Sequence, residues 1–229
     1  MQKMIIFDCD GVLVDSEIIA NRIDAEVLSD LGYKISTEES IKKFTGMSTD
    51  TVRDIILQES GIDLTQNFSD LTQKRILNAF ESELQPLIYE VLEHCKGMTR
   101  CVASSSPKTR VIKSLEWTKQ DHFFRAEHIF VSSQVNRGKP FPDLFLFAAQ
   151  QMEIPPENCL VIEDSIAGIK AAQSAGMHVI GFLGGSHTHF DWYKQNIRSL
   201  NVPLAFNEKD LINYIQSFHN GLDLKIGRI

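Results

Sequence analysis

The sequence predicts an α/β protein: a parallel sheet covered on both faces by helices, interrupted near its start by an all-helical insertion. Three observations carry this. Short, wholly apolar runs recur along the chain. Each stops at small or acidic residues. Residues 16–82 contain no such run. Strands buried on both faces read as continuous apolar stretches, whereas strands with one wet face alternate.

The runs come in order. Met4-Ile5-Ile6-Phe7 stops at Asp8-Cys9-Asp10-Gly11. Cys101-Val102-Ala103 stops at Ser104-Ser105-Ser106-Pro107, and Ile129-Phe130-Val131 at Ser132-Ser133. Leu160-Val161-Ile162 stops at Glu163-Asp164-Ser165, and Val179-Ile180-Gly181-Phe182-Leu183 at Gly184-Gly185. A segment of helical character follows each, such as residues 166–175, closed by Gly176. Strands alternating with helices make βαβ units and hence a parallel sheet. The polar residues gather after the strands' C-terminal ends, the edge of such sheets where ligands bind.

Between the first and second runs the pattern changes to amphipathic helices at 18–31, 37–44, 49–59 and 71–81, punctuated by Gly32, Gly46 and Gly61. A helical block this long cannot serve as one ordinary crossover. We therefore expect a core formed by residues 1–15 and 83–229 and a helical cap domain formed by 16–82.

Composition narrows the function. The 229 residues are 43% hydrophobic and 23% charged, with a formal net charge of -7. That charge repels nucleic acid and acidic membrane surfaces, yet leaves room for a small phosphorylated ligand held at one local positive site. The four cysteines, Cys9, Cys95, Cys101 and Cys159, lack the Cys-x-x-Cys spacing of zinc and redox motifs and suit a reducing cytoplasm. No apolar stretch approaches a membrane span. A cytoplasmic, monomeric protein is expected.

The chemistry-bearing residues sit at the strand ends. Asp8 and Asp10, two residues apart on extended chain, point to the same side. Carboxylates so close repel unless a cation or a shared proton intervenes. A solvated turn is the alternative for an isolated Asp-x-Asp. Ser104 and the backbone after it suit an anionic oxygen, or serve to start a helix with Pro107 at its first position. Lys139 lies in Gly138-Lys139-Pro140-Phe141-Pro142-Asp143, where two prolines stiffen the loop and direct the side chain; an exposed lysine is the alternative. Glu163-Asp164 at a buried strand end calls for a hard dication, or else for a helix N-terminus.

Together and in this order, these motifs resemble those of the haloacid dehalogenase-like hydrolases. Asp8-Cys9-Asp10-Gly11-Val12-Leu13-Val14-Asp15-Ser16-Glu17 is similar to the first motif, Ser104 to the second, and Lys139 to the third. Glu163-Asp164-Ser165-x-x-Gly168, with Ala171-Ala172 and Ala175-Gly176-Met177, is similar to the fourth. The resemblance implies a Rossmann-like core with a helical cap, as in phosphosugar phosphatases and β-phosphoglucomutase. The Pro-Gly turn usual on re-entry to the core is here Pro86-Leu87, without the glycine.

The resemblance also implies roles. Asp8 is the nucleophile and Asp10 the acid and then the base. Mg²⁺ is held by Asp8, the Asp10 carbonyl and Asp164, with Glu163 bound directly or through water. Lys139, Ser104 and the Ser105 N–H contact the phosphate. The substrate implied is a small phosphorylated metabolite, a sugar or sugar acid phosphate. On the cap, Thr45, Gly46 and Ser48 are candidate sugar ligands and Arg22 and Lys74 candidate carboxylate ligands. A phosphosugar mutase is the nearest alternative. Against it, Ala20 and Thr49 stand where the mutase pattern has His and Arg. A catalytically silent binding protein would show a broken motif, and none is broken.

Overall fold

The computed structural model describes residues 2–45, 49–64, 68–222 and 224; for Thr49 and Asp50 only the backbone is described. The chain divides into two compact units, one of residues 1–15 and 85–229, the other of residues 16–84.

The first unit is built on a six-stranded sheet in which every pairing is parallel. Its strands are β1 (Met4–Phe7), β2 (Thr99–Ser104), β3 (Ile129–Val131), β4 (Cys159–Glu163), β5 (His178–Phe182) and β6 (Leu204–Ala205), in the order β3-β2-β1-β4-β5-β6. The apolar runs explain the centre. All residues of β1 and β4 are buried, as expected for strands covered on both faces. β1 pairs with β2 on one side (Ile6 with Cys101) and β4 on the other (Ile6 with Val161). The strand order reverses direction at β1, which is where crevices open in such sheets. β6 was not foreseen, because two residues carry no readable run.

Helices α5 (Tyr89–His94), α6 (Lys108–Trp117), α7 (Asp143–Gln151), α8 (Ile166–Ser174), α9 (Asp191–Arg198) and α10 (Glu208–His219) belong to this unit. Their starts have local causes. Ser165 caps α8, its Oγ accepting from Gly168 N at 3.0 Å. Asn207 caps α10 through Asp210 N at 3.0 Å. Pro107 is the N-cap of α6 and not its first helical residue, and no side chain caps that end. The segment 105–107 is thereby spared from the helix. Re-entry at Pro86 needs no glycine: Val14 bridges Pro86, and Asp15 N donates to Gln85 O at 3.0 Å.

The second unit holds α1 (Ser16–Asp30), α2 (Thr37–Phe44), α3 (Thr49–Ser60) and α4 (Phe68–Glu83). α1 packs against α2 and α4, burying Ile23, Val27, Leu28, Ile41, Phe44, Ile76 and Phe80. Ser36 and Glu39 form a reciprocal capping box that starts α2. α4 is longer than the apolar period suggested, because the buried Phe68 adds a turn at its start. No helix among the described residues is long and apolar enough to cross a membrane.

Candidate active site

Four segments reach one point at the C-terminal edge of the sheet. Asp8 follows β1 directly, its N–H still donating to Ile162 O of β4 at 3.0 Å. The chain then turns tightly, with Gly11 N donating to Val14 O at 2.8 Å. Gly11 has φ +80, and a Cβ there would stand 2.1 Å from Asp164 Oδ2. Only glycine lets this turn lie against that carboxylate.

Lys139 is the centre of the charge network. Its Nζ donates to Asp8 Oδ1 at 2.6 Å, Glu163 Oε1 at 2.6 Å and Ala103 O at 3.0 Å. Its side chain is 5% exposed, so the alternative of a surface lysine is excluded. The loop that carries it is clamped by Arg137, which forks onto Asp143 at 2.8 and 3.1 Å and stacks over Phe141. Burial works against the ammonium charge, but Asp8 and Glu163 together outweigh it and hold Lys139 above its usual range.

Glu163, the last residue of β4, is wholly buried. Its second oxygen accepts from Ser165 N at 2.9 Å and Ser165 Oγ at 2.8 Å. It thus fastens Lys139 to the start of α8. Gly168 permits this, since a Cβ there would stand 1.8 Å from Glu163 Oε1. Asp8, Glu163 and Asp164 offer carboxylate oxygens within 4.8 Å of one another. Burial first, and then the neighbouring carboxylates, push Asp8 well above the usual carboxylate range, although Lys139 pulls the other way. Burial and Glu163 do the same to Asp164. Three carboxylates around one ammonium leave the cluster short of positive charge. Cys9, between the two aspartates, points into the core. Burial, then Asp10 and Asp8, push its thiol up, which makes it inert as a nucleophile.

Asp10 stands on the other side. Its Oδ2 accepts from Ser106 Oγ at 2.6 Å and Ser104 Oγ at 3.4 Å, and its Oδ1 from Arg110 Nη2 at 3.2 Å. Ser104 is fully buried and also accepts from Ser106 N at 3.0 Å, so its hydroxyl faces the site and caps no helix. Ser105 is exposed.

Ser106 and Arg110 were missed by sequence reasoning. The available signal was a hydroxyl and a guanidinium in the six residues after Ser104. His187 was missed too. Its Nε2 lies 2.7 Å from Asp164 Oδ2 with both side chains buried, and its ring meets Tyr193 edge-on. The loop that carries it is tied down by Ser186, which donates to Asp15 through N at 2.9 Å and through Oγ at 2.5 Å.

The candidates on residues 16–84 form no comparable cluster among the described residues. Arg22 already holds Glu26 at 2.9 Å and Glu83 at 2.7 Å. Lys74 is exposed on α4. Thr45 follows α2, its N–H donating to Ile41 O at 3.3 Å. Gly46 and Ser48 lie outside the described residues.

Comparison with known proteins identifies the family. A model of the family described as haloacid dehalogenase-like hydrolase matches residues 5–182. The 6-phosphogluconate phosphatase of Escherichia coli K12 is 31% identical over 187 residues, covering 81% of this chain and 84% of that protein. The crystal structure of a conserved haloacid dehalogenase-like protein from Agrobacterium tumefaciens superposes with a TM-score of 0.85 at 33% identity, covering 96% of this chain and all of that one. A family hydrolase from Deinococcus radiodurans, crystallised with phosphate and sodium, superposes with a TM-score of 0.75 at 30% identity, covering 98% and 99%. The chain belongs to the haloacid dehalogenase-like hydrolases.

Proposed function

We propose that this protein is a magnesium-dependent phosphatase of a small sugar or sugar acid phosphate, working through a phosphorylated Asp8. The observation that carries the reading is the buried cluster in which Lys139 joins Asp8 to Glu163, with Asp164 alongside. The name of the Escherichia coli relative supports the substrate class.

The cluster fits a hard dication. Its three carboxylates lie close enough to share one, and the raised Asp8 and Asp164 mark a deficit of positive charge. Asp8, Asp164 and the Asp10 carbonyl would hold Mg²⁺. Glu163, already bound by Lys139 and Ser165, acts indirectly. Bound there, Mg²⁺ would offset the repulsion between a phosphate dianion and a carboxylate.

The chain's own residues do the rest. Lys139 fixes one oxygen of Asp8 and leaves the other to attack phosphorus. The buried Ser104 hydroxyl and the exposed Ser105 segment receive phosphate oxygens. Asp10 gives a proton to the departing sugar oxygen as the P–O bond breaks. It then takes a proton from the water that attacks the aspartyl-phosphate and releases inorganic phosphate. Residues 16–84 are the proposed cap that reads the leaving group, with Thr45 and Lys74 as candidate ligands alongside Arg22, which already pairs with Glu26 and Glu83.

A screen of phosphorylated metabolites with purified protein and Mg²⁺ tests this. Phosphate release from a sugar or sugar acid phosphate is expected, lost in excess chelator and not restored by Ca²⁺. Release confined to nucleotides or phosphoproteins would refute the substrate class. Isomerisation of a sugar 1-phosphate would replace the phosphatase with a mutase.

A further inference from the structure

We propose that Arg110, with Ser106, is the positioning device for Asp10, setting the direction in which its protonated carboxyl passes a proton to the leaving oxygen and the resulting carboxylate then takes one from the attacking water. The proposal rests on the phosphatase reading above and adds residues that no family motif supplied to the sequence reading.

The geometry is specific. Arg110 stands in the first turn of α6, and its Nη2 donates to Asp10 Oδ1 at 3.2 Å. Ser106 Oγ donates to Oδ2 at 2.6 Å. A carboxylate gripped on both oxygens by donors from one short segment is fixed in plane as well as in place. The side chains of Arg110 and Asp10 are 14% and 12% exposed, enough shielding for the pair to hold its geometry. Oδ2 already accepts from both Ser106 and Ser104, whereas Oδ1 accepts only from Arg110 among these contacts, so Oδ1 keeps a lone-pair position through which a proton can pass to or from the reacting oxygen. Arg110 can do this only because α6 starts at Lys108. Pro107, as N-cap, lets 104–106 run past Asp10 before the helix turns Arg110 back toward it.

This role makes a claim that fold stabilisation does not. A sugar alkoxide leaves poorly unless protonated, whereas p-nitrophenolate leaves without a proton. Misdirecting the acid should therefore hurt the sugar ester selectively. The experiment is single-turnover release of the leaving group, measured with p-nitrophenyl phosphate and with the sugar phosphate found in the screen. It uses wild type, Asp10→Asn, Arg110→Gln, Arg110→Lys and Ser106→Ala.

Arg110→Gln should slow release from the sugar ester by roughly 10- to 100-fold, in line with a misplaced catalytic group. Release of p-nitrophenolate should fall by less than about 3-fold, and Arg110→Lys should recover part of the difference. Ser106→Ala should show the same selectivity to a smaller degree, and it decides the matter alone if Arg110→Gln does not fold. Equal losses on both esters, or no loss on either, would overturn the proposal. Asp10→Asn separates the two failures. If it shows no selectivity, the acid role of Asp10 falls and the positioning role with it. If it is selective and neither Arg110→Gln nor Ser106→Ala is, only the positioning role falls.

Discussion

The charge network at the strand ends and the charge networks on the helical unit use the same residue types in different surroundings. On residues 16–84, Arg22 bridges Glu26 and Glu83, Arg75 meets Asp30 at 3.1 Å, and Lys43 meets both Tyr33 and Glu59. Their side chains are about a third or more exposed, and water screens them. At the strand ends, Lys139 and Glu163 are 5% and 0% exposed. There the same attraction acts with little screening and must offset a large desolvation cost. On the surface, the excess carboxylate beside Arg22 is left to water. In the buried cluster water cannot take up the excess, and that imbalance marks it as a place for ligands.

The comparison can be broken at its deepest point first. Asp8→Asn should lower turnover by about 1000-fold or more while leaving the melting temperature nearly unchanged, because an amide of the same size cannot attack phosphorus. Retention of a tenth of wild-type activity would contradict the nucleophile assignment. Glu163→Ala comes next. It strips Lys139 of one partner in a dry site and should cost about 3–5 kcal/mol of stability by denaturant titration.

A third test uses pH. Asp8 and Asp164 are raised when folded, so the folded chain holds protons that the unfolded chain gives up above about pH 4. Metal-free protein should therefore lose stability as pH rises from about 4 toward neutrality, by about 1.4 kcal/mol for each unit of raising. Lys139 adds nothing to this slope, since a raised lysine loses its contribution only under more alkaline conditions. Mg²⁺ should remove most of the slope in melting curves. A metal-free curve that rises over this range would mean the carboxylates are not strained by burial. The smallest effect belongs to the surface: Arg22→Ala should cost under about 1 kcal/mol, and less at high salt. A cost equal to that of Glu163→Ala would erase the distinction between the two regions.

The sequence exposed what is consecutive and hid what is not. Asp8, Asp10, Ser104, Glu163 and Asp164 were legible because each sits at or just past the end of an apolar run, and a buried strand ending in acids needs an explanation; Lys139 was legible through the two prolines of its loop. The parallel sheet was legible for the same reason. Arg110 was not, because its approach to Asp10 depends on where α6 begins, and Ser-Ser-Ser-Pro allowed the helix to start one residue earlier. His187 was hidden by distance: 23 residues of helix and strand bring it back to Asp164, and no local pattern announces that return. The extra turn of α4 at Phe68 fell outside the period because the apolar residues before Leu71 are sparse.

The placement of β1 has a consequence for how the chain reaches this state. It is the first of the sheet's strands to be made and lies at the sheet's centre, yet both neighbours arrive late: Met4 meets Cys101 of β2 across 97 residues, and Ile6 pairs with Val161 of β4 later still. Such a topology has a high contact order, and loop-closure entropy opposes each of these pairings until it is nearly complete. During synthesis Met4-Ile5-Ile6-Phe7 waits unpaired while the helices of 16–84 can already fold by local contacts. A short, uncharged β-forming segment is in that interval an aggregation hazard. The acids that follow it at Asp8 and Asp10 then act as gatekeepers, their mutual repulsion disfavouring self-association of nascent chains before Lys139 exists to compensate them.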